Sequence, residues 1–349
     1  LSIKFKKGWA EMKFPKINKK DLVQRLEPKK GIIRMVLDTD TFNEVDDQFA
    51  LAYALRSPDR LKVEAVYAAP FLNKKVSSPA EGMEKSYYEI LKIMDLLNAD
   101  TKDMVFKGST NYLPDAETPV ESEAARDLVK KAKASSPEDP LYVVAIGAIT
   151  NVASAILMDP SIIKNIVVVW LGGHPLYWPQ TNEFNLIQDI PAARLVFDCG
   201  VPVVHIPCMG VASNLVTTDY ELEAKLAGKS KIGDYLFKTV TGYAKGGEIL
   251  EEYNQALDMY LSGNNDCGES DFTEDLSEDS NAWSKIIWDI SAIAFLINPL
   301  WTPSTLASSP VLTDQCTWSE DSSRHFIRTV KYVKRDLIFG DLFKKLNKD

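Results

Sequence analysis

The sequence predicts an α/β protein with a mostly parallel, Rossmann-like central sheet flanked by helices, followed by a more helical C-terminal part. Short apolar runs rich in β-branched residues alternate with longer segments of helical period as far as about Ala212, which is typical of βα units. Polar side chains directly follow several of these runs. Because consecutive βα units give parallel strands, we expect right-handed crossovers and a site at the carboxyl ends of the strands.

Six apolar runs are predicted as buried strands, because each is short and is followed by polar or turn residues. They are Ile32 to Leu37, Val63 to Ala69, Met104 to Phe106, Leu141 to Ile146, Ile166 to Trp170 and Val203 to Ile206. Five intervening segments are predicted as helices. They are Asp46 to Arg56, Pro79 to Leu97, Ser122 to Ala134, Thr150 to Met158 and Pro191 to Cys199.

The chain after Ala212 is predicted to be mainly helical. It contains an apolar helix at Ile290 to Ile297 and a terminal amphipathic helix at Asp336 to Leu346. The segment around Ile327 to Val333 is predicted to return to the sheet as an edge strand. The acidic stretch from Ser262 to Asn281 is predicted to be a solvated or disordered loop, with a lid over the site as the alternative.

Composition excludes some classes of function. The 349 residues contain no linker, so we expect one domain over residues 31–349, preceded by an N-terminal extension over residues 1–30. A formal charge of -9 without a basic face argues against nucleic-acid binding, and no apolar run is long enough for a membrane span. The scattered cysteines favour reduced thiols and a cytoplasmic protein. They are Cys199, Cys208, Cys267 and Cys316.

The first predicted strand is followed by four aspartates and a glutamate within ten residues. The run is Asp38-Thr39-Asp40-Thr41-Phe42-Asn43-Glu44-Val45-Asp46-Asp47. Carboxylates this close repel one another, which is tolerable only if a cation neutralises them or some of them stay protonated. The simplest resolution is a hard divalent metal ion.

Further polar clusters follow three other predicted strands. Asn73 follows the second strand, Gly147 to Asn151 follow the run that begins at Leu141, and Gly172-Gly173-His174 follow the run that begins at Ile166. If these strands are parallel, all the clusters emerge at one edge of the sheet. We therefore expect the functional site there.

Four motifs resemble, in their order, those of the inosine–uridine preferring nucleoside hydrolases. They are Asp38-Thr39-Asp40 with Asp46-Asp47, Ala148-Ile149-Thr150-Asn151, Glu183-Phe184-Asn185 and Trp288-Asp289-Ile290. The resemblance covers roughly Ile32 to Pro299. It implies the nucleoside hydrolase fold and calcium-dependent hydrolysis of the N-glycosidic bond of ribonucleosides, with release of base and ribose. It also implies a role in purine or pyrimidine salvage and assembly as a homodimer or homotetramer.

The same resemblance implies roles for individual residues. The Ca²⁺ ligands would be Asp40, Asp47, Asp289 and the backbone carbonyl of Thr150, with Asp38 orienting them. Asp40 would also take a proton from water and so generate the nucleophile.

Contacts to the ribose are implied for a second set of residues. They are Asp46, Asn73, Glu183 and Asn185.

This sequence departs from the family pattern in two places. Two residues are inserted between Asp40 and Asp46, which places Asn43 or Glu44 within reach of the pocket. The position of the histidine that is the presumed acid in the best-known branch of the family is occupied by Trp288, which can stack on a base but cannot protonate it.

Leaving-group activation must then come from elsewhere. His174 is the candidate acid or base contact, with Trp178 and Trp288 as stacking candidates. Of the other two histidines, His205 lies in an apolar strand and is predicted to be a core residue, and His325 is predicted at the surface.

Two alternatives remain. Asp38-Thr39-Asp40-Thr41 also satisfies the pattern of haloacid dehalogenase-type phosphatases, in which Asp38 would be a nucleophile beside Mg²⁺, but the later motifs would then have no role. The other alternative is a calcium-loaded ribose-binding protein that has lost turnover. Release of free base from nucleosides would separate it from an enzyme.

Overall fold

A computed structural model of the chain describes residues 14–245 and 283–348. The acidic stretch at 262–281 lies outside these residues, so its predicted loop or lid stays untested. Within the described ranges, each helix is too short or too polar to cross a membrane.

The centre of the fold is an eight-stranded sheet. Six strands of the first half have the order β3-β2-β1-β4-β5-β6, and two strands of the C-terminal part follow β6, first Phe326–Val330 and then Ser304–Ser308. The first six strands all pair in parallel, as predicted. Their order is that of a dinucleotide-binding Rossmann sheet, which reverses direction between β1 and β4 and leaves a crevice there. The strands are β1 Ile33–Thr39, β2 Leu61–Ala68, β3 Val105–Lys107, β4 Leu141–Ala145, β5 Ile166–Leu171 and β6 Val203–Ile206.

The crossover helices lie within one or two residues of their predicted limits. An additional helix near the N-terminus, α1 Lys19–Leu26, buries Leu22 and Leu26 and packs against a late strand. The remaining helices of this half are α2 Asp47–Leu55, α3 Pro79–Leu96, α4 Glu123–Lys133, α5 Thr150–Met158, α6 Phe184–Gln188 and α7 Ile190–Asp198.

Two cores cover the two faces of the sheet, because side chains of a strand point alternately to opposite faces. Leu37 belongs to the core that also contains Phe49 of α2. Val36 belongs to the core on the opposite face, with Trp170 and Phe197. Both sides of each central strand are therefore buried, which explains why the strands read as continuous apolar runs.

The C-terminal part is more mixed than the sequence predicts. Its helices are α8 Asp219–Leu226, α9 Lys231–Lys245, α10 Ile290–Ile297 and α11 Arg335–Leu346. Six short strands accompany them in the described residues of this part, and the sequence pattern indicates one of the six. They are β7 Val216–Thr218, β8 Ser284–Ile286, β9 Ser304–Ser308, β10 Val311–Leu312, β11 Trp318–Ser319 and β12 Phe326–Val330.

The predicted late strand does return to the sheet, but it is not the edge. β12 pairs in parallel with β6 and antiparallel with β9, so β9 is the edge strand. The sequence of β9, Ser304-Thr305-Leu306-Ala307-Ser308, has little apolar character, because an edge strand is only partly buried. A strand of that composition gives no apolar run by which to predict it.

Candidate active site

The acidic run of the first motif lies at the carboxyl end of β1, beside the carboxyl end of β4, where the strand order reverses. Asp38 is still within β1 and pairs with Ala145 of β4. Asp40 follows the strand, and Asp47 opens α2. Gly147 allows the two strand ends to approach, since a Cβ there would lie 2.6 Å from Asp40 Oδ1. The predicted location of the site is thus where the fold has its crevice.

Asp46, Asp47 and Asp289 form a buried cluster of carboxylates. One ligand atom from each lies within 4.8 Å of the others. The first and last motifs are joined by backbone bonds, because Asp46 Oδ2 accepts from the N–H of Trp288 at 3.0 Å and from that of Asp289 at 3.4 Å. Asp46 and Asp289 each precede a helix, but neither side chain caps its own helix within the described chain. Both residues line the cavity.

Asp40 lines the same cavity and is 1% exposed. Neither of its carboxylate oxygens has a hydrogen-bond partner in residues 14–245 and 283–348. Asp38 lies behind it, where Oδ1 accepts from Nδ2 of Asn151 at 2.7 Å. Asp47 is held by the hydroxyl of Thr39. An orphaned buried carboxylate is costly. The arrangement therefore calls for a ligand at Asp40.

Burial dominates the electrostatics of this cluster. It raises the pKa of Asp46 to about 7, against the opposing charge of Lys285, and it raises the pKa of Asp47 to about 7 as well. Burial, reinforced by the negative charge of the neighbouring acids, places the pKa of Asp40 and of Asp289 well above the usual range. Asp38, buried beside Asn151, has its pKa raised to about 7. A divalent cation would reverse this preference for the protonated forms.

The oxygen donors fit a hard cation. Ca²⁺ takes six to eight oxygens from carboxylates, carbonyls and water. Four buried carboxylates that line the cavity can supply such oxygens, those of Asp40, Asp46, Asp47 and Asp289. Asp46, predicted as a ribose contact, is thus also placed among the potential ligands.

The ligand role that the resemblance implied for the backbone carbonyl of Thr150 stays a prediction. Thr150 opens α5, its hydroxyl donates to Asp189 Oδ2 at 2.7 Å, and it is not among the described residues that line the cavity. Ile146 does line the cavity, and its carbonyl accepts from Nδ2 of Asn185 at 3.2 Å. A carbonyl at the start of a helix points along the helix, whereas that of Ile146 follows the end of a strand at the crevice. Ile146 is the better candidate for a carbonyl ligand.

Glu183 and Asn185 also line the cavity. Glu183 caps α6 by accepting from the N–H of Asn185 at 2.9 Å and of Leu186 at 3.1 Å, and it also accepts from the N–H of Gly173 at 2.7 Å. Burial raises the pKa of Glu183, and these backbone bonds oppose the rise. The buried thiol of Cys208, which also lines the cavity, donates a hydrogen bond to Glu183. Both predicted ribose contacts are rigidly placed.

His174 lines the cavity and is 2% exposed. Its backbone is fixed by Thr181 Oγ1 at 2.9 Å and by Nε1 of Trp318 at 3.0 Å. Both ring nitrogens lack a partner in the part of the chain that the structure describes. Burial lowers the pKa of His174 to about 4, so the ring is neutral at pH 7. A neutral imidazole can donate one hydrogen bond and accept another.

The aromatic candidates differ in position. Trp288 is half-buried and lines the cavity. Trp178 packs against the His174 ring with centroids 5.2 Å apart and does not itself line the cavity among the described residues. Asn73 is also one layer back, since its Nδ2 donates to Asn43 Oδ1 at 2.8 Å and Asn43 lines the cavity.

Several residues of the site carry no motif by which the sequence would single them out. Asn182 and Met209 line the cavity, and Lys285 lies behind Glu44 with its Nζ 2.8 Å from Oε2. Met209 follows the carboxyl end of β6, so the rule that located the other clusters also points to it. Asn43 and Glu44 both reach the cavity, as the insertion in the first motif suggested.

The other histidines lie outside the site. His205 is fully buried in β6, with Nε2 2.9 Å from the carbonyl of Gly172, as predicted for a core histidine. His325 is half-buried and not a fully exposed surface residue.

The family model for inosine-uridine preferring nucleoside hydrolase matches residues 35–317. The chain belongs to this family. Membership accounts for the order of the four motifs and assigns the chain to the N-ribosyl hydrolases. It also removes the phosphatase alternative, because Asp38 is buried behind Asp40 and bonded to Asn151, not presented to the cavity as a nucleophile.

Two curated members of the nucleoside hydrolase family are similar in sequence. The probable uridine nucleosidase 2 of Arabidopsis thaliana is 28% identical over 60% of this chain and 69% of its own length. The pyrimidine-specific ribonucleoside hydrolase RihA of Klebsiella pneumoniae is 28% identical over 49% of this chain and 58% of its own length. The aligned regions thus span roughly three fifths to two thirds of these relatives.

Solved structures of nucleoside hydrolases share the fold over nearly the whole chain. A plant nucleoside hydrolase has a TM-score of 0.65 at 18% identity, covering 91% of this chain and 99% of its own. A purine-preferring ribonucleoside hydrolase from Gardnerella vaginalis has a TM-score of 0.66 at 18% identity, covering 90% and 98%. At these identities the likeness is one of fold.

Proposed function

We propose that the protein hydrolyses the N-glycosidic bond of ribonucleosides in a calcium-dependent reaction and releases free base and ribose. The observation that carries this proposal is Asp40. It is a buried carboxylate at the fold's crevice, with both oxygens unpartnered within residues 14–245 and 283–348, beside a cluster of three further acids. Such a group is suited to hold a cation and to accept a proton from water.

The metal would be held by Asp40, Asp47 and Asp289, with Asp46 beside them and Ile146 offering a carbonyl. When bound, Ca²⁺ supplies a positive charge that makes a coordinated water easier to deprotonate. Asp38, bonded to Asn151, lies directly behind and would orient the ligands. The resemblance assigned Thr150 to this set, and we propose Ile146 in its place.

The chain's own residues supply the rest of the chemistry. Asp40 takes the proton of the attacking water at a carboxylate oxygen. Glu183 and Asn185 hold the ribose hydroxyls, and their negative charge and dipole stabilise the positive charge that develops on the sugar. Asn73 acts indirectly, through the amide of Asn43.

The leaving base is received between His174 and Trp288. The neutral His174 ring would donate a hydrogen bond to the departing base, which takes up a proton from solvent on release, and the Trp288 ring would stack on the base. Trp178 supports His174 from behind at 5.2 Å. This replaces the histidine of the best-known branch, whose position Trp288 occupies.

The decisive experiment measures free base released from a panel of purine and pyrimidine nucleosides by the intact protein with Ca²⁺. Turnover that disappears with a chelator and returns with Ca²⁺ supports the proposal. Tight ribose binding without release of any base would favour instead a ribose-binding protein that has lost turnover.

The setting of the reaction is also proposed. The relatives' names include both pyrimidine and purine preferences, which fits a role in nucleobase salvage without fixing the base. Cys199, Cys208 and Cys316 are buried free thiols, as a cytoplasmic protein would have, whereas Cys267 lies outside the described residues. We also propose that the protein assembles as a homodimer or homotetramer. Residues 31–349 would form one domain, after an N-terminal extension over residues 1–30.

A further inference from the structure

The turn inserted in the first motif, residues 41–45, is firmly held against the cavity. The backbone N–H of Phe42 donates to Ser86 Oγ at 3.3 Å. The carbonyl of Asn43 accepts from Lys75 Nζ at 3.0 Å, and the carbonyl of Glu44 accepts from Gln48 Nε2 at 3.4 Å. Bonds from three other positions of the chain thus preorganise the turn, which is what a recognition element needs.

Glu44 is the charged residue of this turn, and its orientation is set by a buried lysine. Lys285 Nζ lies 2.8 Å from Glu44 Oε2, and the Lys285 side chain is 1% exposed against 28% for that of Glu44. A lysine is rarely buried without a strong reason, because its desolvation is costly. This pair fixes one oxygen of Glu44 on the lysine while the residue still lines the cavity.

The pair lies next to Trp288. Lys285 is in β8, three residues before Trp288, and the backbone N–H of Trp288 donates to Asp46, two residues after Glu44. Glu44 and Trp288 therefore come from two adjacent segments that line the same cavity. A base that stacks on Trp288 would present its edge near the carboxylate.

We propose that Glu44 is a specificity-determining residue that accepts a hydrogen bond from an N–H group of the nucleoside base, with Lys285 as its positioning residue. This inference rests on the proposed hydrolase function. An ionised carboxylate only accepts hydrogen bonds, so Glu44 favours bases that carry an amino group or a ring N–H. A base without such a donor leaves the second oxygen of Glu44 without a hydrogen bond from the base, so that base is bound less well.

The test uses matched pairs of substrates. Adenosine is compared with purine riboside, and cytidine with 2-pyrimidinone riboside, because the second member of each pair lacks the donor on its ring edge. We expect Glu44→Ala to lower kcat/KM for adenosine or cytidine roughly 10- to 100-fold, and to change it by less than about threefold for the donor-free partner. Differences in leaving-group reactivity cancel when variant and wild type are compared on each substrate.

Two further variants separate recognition from folding. Glu44→Gln keeps an acceptor oxygen and removes the charge, so we expect an intermediate loss on the donor-bearing substrates. Glu64→Gln is the matched control, because Glu64 pairs with Arg34 at 2.8 Å near the amino ends of β1 and β2. It should leave the ratio of kcat/KM between the two members of each substrate pair unchanged.

Lys285 is tested by the substrate preference it supports. Lys285→Met should lower the ratio of kcat/KM for adenosine over purine riboside, whereas Lys285→Arg should restore it, which a purely structural role would not produce. If Lys285→Met does not fold, the Glu44 variants still decide.

The outcomes are distinct. A wild-type protein that releases no base from any substrate refutes the proposed function itself. An active wild type whose Glu44→Ala variant loses activity equally on donor-bearing and donor-free bases overturns this inference alone. The inference is also overturned if the effect of Glu44→Ala disappears with 5′-deoxyadenosine, because the contact would then be to the sugar.

Discussion

Four helices at or near the cavity are preceded by an acid, and two of these acids cap their own helix while the other two do not. Glu183 and Asp189 cap α6 and α7 through bonds to backbone N–H groups of those helices. Asp46 and Asp289 occupy the same position before α2 and α10, yet neither side chain caps its helix in the described chain. A cap contributes about 1 kcal/mol. The two helices at the crevice forgo this stabilisation, and the carboxylates of Asp46 and Asp289 line the cavity instead.

The contrast is sharper between Asp40 and Asp189, which are both 1% exposed. Asp189 accepts from the N–H of Leu113 at 2.9 Å, from that of Ala192 at 3.0 Å and from the hydroxyl of Thr150. Asp40 has no such side-chain bond within the described residues. One buried acid holds the fold together, and the other is available for chemistry.

Replacement of these two acids should have opposite consequences. Asp40→Asn is expected to lower kcat by about 10²- to 10⁴-fold, because it removes the proposed base, with little change in the Tm of the metal-free protein. Asp189→Asn is expected to cost about 1–3 kcal/mol of stability while the folded fraction stays active. Steady-state kinetics and thermal unfolding of both variants test this. Near-normal turnover in Asp40→Asn would refute its role as the base.

The cluster acids should decide metal binding. Ca²⁺ at a hundredfold excess over its Kd stabilises a folded protein by about 2.7 kcal/mol, so the wild type should gain several degrees in Tm on addition of Ca²⁺. We expect Asp47→Ala and Asp289→Ala to lose this gain, whereas Asp189→Asn should keep it. Thermal unfolding with Ca²⁺ and with a chelator measures the difference. An unchanged gain in Asp289→Ala would remove the proposed ligand set.

The same cluster should make metal binding depend on pH. Burial raises the pKa of Asp46 and of Asp47 to about 7, so in the metal-free protein the protonated forms are favoured, and their contribution to stability is complete below about pH 4 and lost as the pH rises through about 7. Because Ca²⁺ competes with these protons, its affinity should fall by up to about tenfold for each pH unit below 7 and for each proton displaced. Calorimetric titration at pH 5.5, 6.5 and 7.5 tests this. A pH-independent affinity would contradict the raised pKa values.

The regular part of the fold is predictable from the sequence because that part is buried on both sides. A continuous apolar run such as Val167-Val168-Val169-Trp170 is typical of a strand that is buried on both faces of a parallel sheet. The parallel order of the strands then brings their carboxyl ends together. The C-terminal strands escape prediction for the opposite reason. β9 and β10 are short and only partly buried, so their side chains carry little pattern.

The site shows the same division. The four motifs are readable because each follows a strand or opens a helix. Lys285 could not be predicted from the sequence, because its partner Glu44 is 241 residues away in the chain and only the fold brings the two together. The motif alone could not decide whether the carbonyl of Ile146 or that of Thr150 faces the acids, because this depends on where the strand ends and the helix begins.

The smallest effect that we predict concerns Trp178 and Trp288. As with Asp40 and Asp189, one of the two residues faces the cavity and the other has a supporting position. Trp288 lines the cavity, whereas Trp178 packs behind His174. Base–aromatic stacking contributes about 1–3 kcal/mol, so Trp288→Ala should weaken the binding of nucleosides roughly tenfold and that of ribose hardly at all. Trp178→Ala should have a smaller effect, and Trp288→Phe should retain most of the affinity. Inhibition constants for ribose and for nucleosides with large and small bases measure this, and an equal loss for ribose and for nucleosides would show that Trp288 shapes the cavity without stacking on the base.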